Sequence, residues 1–511
     1  MRTVNKLALN SLALYVNMGF TMLATLLGTR YVLEALGKEE FGLYALIGSI
    51  VAMLSFLNVA MAAATQRFLS YAIGAKNEGQ VREIFFTSVV IHLAIAAVLS
   101  VFLLAGGEFM IYNVLDIAPQ YFHLAEYVLW CMIAGVLFTI NAVPYEATMN
   151  AHEDISQIAV INILEAALKL GAAVVVLFLS SDKLLLYALL VLFSQIFAFA
   201  CKWGFSKFHY EEATFHFHRL KDRGMVQKML GYAGWNLIGA GCSIARYQGA
   251  AILLNAFFGL AINAAYGVAQ QINGFILFFA NSIVRPMRPL IVKSEGACEH
   301  ERMHELSYTT CRITFLMMSF AIIPLYQNMP YVLSIWLDQI PQGTLQFCRA
   351  FLLIALVNQL SVGVVIAIES VGNIKRLQLV VGTMHLAALP LGYAAFVMGY
   401  SAYSIMACIL IEEIVATVFR LWVAKKDAGL PWRPYVSHTL TPCVLSFVLC
   451  FALTSVSVMW IDNALYRFVF STLSSTIILA LLGYFVCLTH YEKEMLHTVL
   501  SSVLRRGRKE M

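Results

Sequence analysis

The chain has 511 residues, 60% of them hydrophobic and only 12% charged, with 34 Lys and Arg against 29 Asp and Glu for a formal net charge of +5. Soluble domains carry about 25% charged residues, so this composition excludes an ordinary water-soluble globule and makes lipid the natural solvent. The ten cysteines form no CxxC pair, which excludes a familiar zinc motif, and most lie in apolar runs as small hydrophobes.

A membrane-spanning helix needs about 20 mostly apolar residues. In chain order such runs fall near 8–33, 41–64, 84–107, 121–146, 156–180, 183–205, 229–256, 260–285, 308–327, 345–370, 376–398, 400–424, 437–459 and 464–488. They predict an all-α integral membrane protein of about 14 transmembrane helices. The first run follows Arg2 and Lys6 and lacks a short apolar core ending in a cleavage site, so it is expected to be an uncleaved first helix. Between the ninth and tenth runs, 328–342 carries Tyr331, Leu333, Trp336 and Leu337 and predicts a short interfacial helix.

Charge placement tests this map independently. Lys and Arg concentrate in the tail and in alternate breaks, among them Lys76 and Arg82, Lys202 to Lys228, Arg285 to Arg302, and Lys425 to Arg433. The opposite set of breaks holds only Lys38 and Lys183. The positive-inside rule then puts both termini on the cytoplasmic side.

A weak internal repeat relates Leu33, Gly37, Tyr44 and Leu46 to Leu254, Gly259, Tyr266 and Val268. It divides the chain into an N-terminal six-helix lobe (1–205), a cytoplasmic linker (206–228), a C-terminal six-helix lobe (229–424), an additional helix pair (437–488) and a basic cytoplasmic tail (489–511). Parallel repeats of this kind are a transporter architecture, with the substrate expected between the repeats.

Several local motifs add to this pattern. LGKEEFGLYAL opens the second span, FLN lies toward its end, and TQRFLS follows it. AVPYEATMNAHED closes the fourth span, and PYVLSIWLDQIP precedes the tenth. In these stretches, and in helix count over nearly its whole length, the chain resembles the polysaccharide-transporter family of O-antigen and oligosaccharide-lipid flippases. That family lies within the multidrug/oligosaccharidyl-lipid/polysaccharide exporter superfamily. The resemblance implies a two-lobed alternating-access transporter of the bacterial inner membrane. Its cargo would be a sugar on an undecaprenyl-pyrophosphate carrier, and polysaccharide polymerase machinery a partner beside the membrane lipids. Nucleic acid is not an expected partner.

Ionisable side chains inside spans cost about 2.5–3.5 kcal/mol each on insertion scales, so each needs a reason. Arg246 in the seventh span has small neighbours, and its guanidinium fork suits pyrophosphate oxygens; a carboxylate on another helix is the alternative partner. Arg30, near the outer end of the first span, is the second candidate cation, or an interfacial anchor. Arg67 in TQRFLS is a candidate guide for the phosphate at the cytoplasmic entrance, or a positive-inside anchor. Glu165 and Lys169 share one helix face and can neutralise each other, unless substrate phosphate takes Lys169 and frees Glu165 for a proton. Glu412 and Glu413 are candidates for a proton or coupling-ion site, or for pairing with a cation on a neighbouring helix; as adjacent residues, at most one is expected to face a cavity. His92 and His385 are expected to be hydrogen-bonded core histidines. The amides Asn17, Asn58, Asn236, Asn263, Gln270, Gln271, Asn273, Asn358 and Gln359 suit sugar hydroxyls or glue between helices, and Asn273 is taken as a substrate-binding candidate.

No Walker A loop, nucleophile elbow or metal motif occurs, so the chain is expected to be a non-enzymatic transporter without a cofactor, with H+ or Na+ as the candidate coupling ion. Two other functions share the pattern. One is a drug or cation antiporter of the same superfamily; the other is a membrane polymerase or ligase acting on lipid-linked sugars.

Overall fold

The computed structural model describes residues 2–52, 55–113, 119–178, 182–213, 223–337, 340–488 and Lys493. The Asn58 side chain, most of the basic tail and residues 214–222 of the expected linker lie outside the described residues. Among the described residues the secondary structure is helical throughout, with no strand. In lipid a backbone that satisfies its own hydrogen bonds within each segment is the stable solution for such an apolar chain.

The helices are α1 (Arg2–Ala52), α2 (Ser55–Gly74), α3 (Glu78–Asn113), α4 (Phe122–Ala151), α5 (Ile155–Leu177), α6 (Lys183–His209), α7 (Arg223–Gly296) and α8 (His300–Gln327). They continue with α9 (Met329–Trp336), α10 (Thr344–Gln359), α11 (Val362–Val371), α12 (Lys375–Val397), α13 (Ser404–Asp427), α14 (Trp432–Tyr435), α15 (Thr441–Val458) and α16 (Ala464–Leu482). Eleven of the described helices are long and apolar enough to cross a membrane, or twelve when α10 and α11, bent by 46°, count as one span. Two expected spans are not in that set, which covers the described residues only. The run 41–64 passes through residues 53–54, outside the described residues, and the run 400–424 coincides with α13, which carries Glu412, Glu413 and Arg420. The short helix expected within 328–342 forms as α9.

α1 and α7 are each interrupted at one glycine. Gly37 has φ 72° and ψ −179°, and Gly259 has φ 78° and ψ −176°. These two glycines are the matched pair of the internal repeat. At Gly259 the break separates one span, Gly224–Gly259, from the next, Ala261–Gly296, without a loop.

The chain divides into two compact units, Lys6–Leu237 and, apart from its first residues, Ile238–Met511. The division falls inside α7, downstream of the expected linker. In the first unit α4 packs against α2, α3 and α6, and α5 packs against α6. Its core gathers Val32, Ile47, Leu129, Ile133, Val176 and Leu184. In the second unit α13 packs against α10, α11 and α12, while α11, α15 and α16 pack on α8. One core surrounds Tyr266, Phe347 and Phe351, and another surrounds Val364, Ile366 and Ile368. The outer faces stay apolar: Phe102, Ile252, Ile411, Val418 and Ile477 are exposed, as a lipid-facing surface requires.

Candidate functional site

The second unit buries a cluster of charged side chains in mutual contact. α7 supplies Arg246, α12 supplies His385, and α13 supplies Glu412, Glu413 and Arg420. Arg246 is 4% exposed and Glu413 1%. Arg246 Nη1 donates to Glu412 Oε2 at 2.5 Å and to Glu413 Oε2 at 3.0 Å, and Arg246 Nη2 donates to the Tyr247 hydroxyl at 3.0 Å. Glu413 Oε1 accepts from Arg420 Nη1 at 2.7 Å and from Asn358 Nδ2 at 2.9 Å. Arg420 Nη1 also reaches Ser361 Oγ at 2.9 Å. His385 Nδ1 lies 2.9 Å from Glu412 Oε1. Two guanidiniums thus face two carboxylates, and an imidazole extends the chain at one end.

The local sequence explains why these side chains converge. Glu413 and Arg420 lie two turns apart on α13, so both can face the α10–α11 bend. Asn358 and Ser361 sit at that bend, where the helix breaks after Gln359 and its polar residues turn to the cluster. Tyr266 donates its hydroxyl to the Tyr247 carbonyl at 3.1 Å, tying the two parts of α7 together beside Arg246.

One expectation is corrected here. Glu412 and Glu413 pair with a cation on a neighbouring helix, as the sequence allowed: both side chains reach Nη1 of Arg246. Arg246 was read as a cation open to pyrophosphate; its fork is occupied by carboxylates, which is the alternative the sequence left open. The small residues around it admit α12 and α13, and a buried Arg in an apolar setting needs such partners.

The other candidates lie in the first unit or apart from the cluster. Glu165 and Lys169 form the expected pair on α5 at 2.6 Å, with the Lys169 side chain 40% exposed. Arg67 lies over the rings of Phe68, Tyr71 and Tyr232 at 4.7, 4.9 and 5.8 Å, a cation–π arrangement. Arg30 is exposed on α1 and makes no hydrogen bond or ion pair among the described residues. Asn273 is buried on α7, away from the charge cluster's hydrogen bonds. His92 is buried and bonds to Ser88, as expected of a core histidine.

Sequence reasoning did not find the His385–Glu412 contact, nor the part-buried pair of Lys202 Nζ with Glu146 Oε2 at 2.8 Å. A histidine in the middle of an otherwise apolar span was the available signal for the first. Lys202 was counted only as a positive-inside charge. Glu146, next to Pro144 in the fourth span, was the signal for the second.

A metal can be considered at His385, Glu412 and Glu413, whose donor atoms lie within 4.8 Å of one another. The fit is poor. Each carboxylate oxygen already accepts from Arg246, Arg420, Asn358 or His385, and two guanidiniums repel a further cation. A cavity of about 210 Å³ lies in the first unit between Tyr44, Cys131, Met132, Ala188 and Gln195.

Residues 13–175 match the family model MatE. No curated protein matches the chain. Among solved structures, a MATE protein in its bent conformation superposes with a TM-score of 0.72 at 14% identity, covering 84% of this chain and 98% of that one. An outward-facing multidrug resistance MATE family transporter of the MOP superfamily gives 0.70 at 12% identity, covering 84% and 96%. A MOP superfamily transporter from Pyrococcus furiosus, described by a binding pocket of reversed polarity and a different function, gives the same values, 0.70 and 12% over 84% and 96%. At such identity the likeness speaks for the fold. The chain is therefore a multi-pass membrane protein with the fold of the MATE transporters of the MOP superfamily, and its residues 13–175 carry the MatE match.

Proposed function

We propose that the protein is a secondary active transporter that exports an organic solute by alternating access, driven by a cation gradient through the buried cluster around Glu412 and Glu413. The observation that carries this reading is the cluster itself. Five ionisable side chains are held together in the apolar interior of one unit, where each has an insertion cost and where balanced pairs respond to the arrival of one more positive charge. The MatE match over 13–175 and the fold of a multidrug resistance transporter support a drug-type or cationic cargo. On this reading the protein sits in the inner membrane with both termini cytoplasmic.

A lipid-linked oligosaccharide is the second reading of the cargo. Arg30, exposed and unpaired among the described residues, and the half-exposed Lys169 favour it, because both offer positive charge to a pyrophosphate headgroup. The Pyrococcus furiosus protein, with its reversed pocket polarity, supports the view that this fold alone does not set the cargo.

Proteoliposomes separate the two. With ethidium as the probe, an imposed cation gradient is expected to accelerate its movement, and Glu412→Gln is expected to abolish the acceleration. If ethidium stays put while an undecaprenyl-pyrophosphate oligosaccharide crosses, the second reading replaces the first. If neither moves under any gradient, the transporter assignment fails.

A further inference from the structure

We infer that the coupling cation is a proton carried by His385 against Glu412, and that the cluster does not take Na+; this rests on the cation-coupled reading above. Hard cations are held in shells of several oxygen atoms. Here the oxygens are spoken for. Glu412 Oε2 and Glu413 Oε2 accept from Arg246, Glu413 Oε1 accepts from Arg420 and Asn358, and Glu412 Oε1 faces His385. A sodium ion would have to displace a guanidinium held at two oxygens and then share the site with it.

A proton needs only one lone pair, and the structure leaves one. Glu412 accepts at Oε1, so His385 donates from Nδ1 and its Nε2 carries the free pair. Nε2 has no hydrogen-bond partner among the described residues, while the imidazole itself is largely buried on α12. Among the described residues, the groups of the cluster around the imidazole come from three neighbouring elements. α13 presents Glu412, Glu413 and Arg420, α7 presents Arg246 and Tyr247, with Cys242 beside Gly382 of α12, and the α10–α11 bend presents the neutral Asn358 and Ser361. With imidazole neutral, the two guanidiniums cancel the two carboxylates. When a proton from water binds Nε2, the ring becomes imidazolium, Nδ1–H stays on Glu412, and the cluster gains one positive charge. Release from Nε2 to water on the other side returns it to neutral. Glu412 then has a cation on each oxygen, Arg246 on one and His385 on the other. Its grip on Arg246 weakens as its grip on His385 strengthens, so α7 and α12 compete for one carboxylate of α13.

The full chain, labelled with 15N-histidine in lipid nanodiscs, tests this. The His385 signal is the one lost in His385→Gln. We expect it to report reversible protonation as pH is varied, to be unmoved when choline is replaced by Na+, and to show roughly tenfold weaker proton affinity in Glu412→Gln. If Na+ shifts the titration tenfold and 22Na+ binds saturably in the wild type but not in Glu412→Gln, the proton assignment is overturned while cation coupling at this cluster stands. If the signal neither titrates nor responds to Na+, the cluster is structural, and the coupling reading falls with the inference. The wild-type measurements carry the decision even where a variant fails to fold.

Discussion

Gly37 and Gly259 hold the same left-handed, extended-ψ conformation at matching places in α1 and α7. Positive φ with ψ near 180° is open to glycine and almost closed to residues with a Cβ. Among the described residues, chain neighbours aside, no atom lies within 4 Å of where a Cβ would stand at either position, so the strain an alanine meets there is that of the backbone conformation. Gly259→Ala is expected to cost about 1–3 kcal/mol and to lower the thermal midpoint of the detergent-solubilised protein. An unchanged midpoint, read by intrinsic fluorescence, would mean that the junction re-forms without strain.

A different kind of glycine ties α11 to α8. A Cβ on Gly363 would stand 2.0 Å from the Ser307 carbonyl oxygen and 3.1 Å from Cys311 Sγ. The first obstacle is backbone, which cannot rotate away as a side chain does. Gly363→Ala is therefore expected to force the helices apart and cost at least the 1–3 kcal/mol typical of overpacking. Gly37→Ala serves as the comparison, because its site is open. If Gly363→Ala proves the milder of the two in thermal unfolding, close helix contact at this point is not structurally important.

Much of this architecture was legible because lipid imposes simple rules. Long apolar runs, alternating Lys and Arg, and the pair Gly37 and Gly259 each follow from local sequence. The Glu165–Lys169 pair was legible for the same reason, since residues four apart share a helix face. The cluster was legible only in part. Arg246, Glu412 and Glu413 stood out because each is costly in a span, but their pairing depends on how α7, α12 and α13 pack. Nothing local says which carboxylate meets which guanidinium across 166 residues of chain. Small residues beside Arg246 fit an open cavity and a close helix contact equally well. His385 carried no spacing signal at all, and the bend that brings Asn358 and Ser361 to the cluster lies within one apolar run.

Beyond the end of α6, Glu212 and His152 form a second polar group outside the spans. His152 Nε2 lies 2.6 Å from Glu212 Oε1, the His152 ring stacks on Tyr210 at 4.3 Å, and Tyr210 donates to Asp154 Oδ2 at 2.7 Å. Burial raises the Glu212 pKa, but the hydrogen bond from His152 and the nearby charges of His152 and Arg82 outweigh it and leave the carboxyl below its ordinary 4.5. Burial and the bond to Asp154 push the Tyr210 hydroxyl up. A carboxyl with a depressed folded-state pKa stabilises the protein above its unfolded value and loses that contribution as pH falls through the folded one. The thermal midpoint should therefore drop below about pH 4.5 more steeply in the wild type than in Glu212→Gln. Parallel acid limbs for the two proteins would remove Glu212 from the linkage.

Arg246 and Glu412 allow stability to be separated from coupling. Removing one partner of a buried ion pair leaves the other uncompensated and costs about 3–5 kcal/mol, whereas removing both can be nearly neutral. Arg246→Met alone leaves Glu412 and Glu413 with Arg420 and His385 as their remaining charged or titratable partners, so a large fall in the thermal midpoint is expected. Adding Glu412→Gln should recover part of that fall, with a coupling between the two sites of about 0.5–3 kcal/mol. Strict additivity would show that the 2.5 Å contact between them contributes nothing to folding. The double variant is also informative about transport. It keeps the helix packing but removes both the carboxylate that α7 and α12 share and the cation that competes for it, so it should fold and yet give no response to an imposed proton gradient. A folded double variant that still responds to the gradient would place coupling elsewhere in the chain, with Glu165 on α5 the next carboxylate to test.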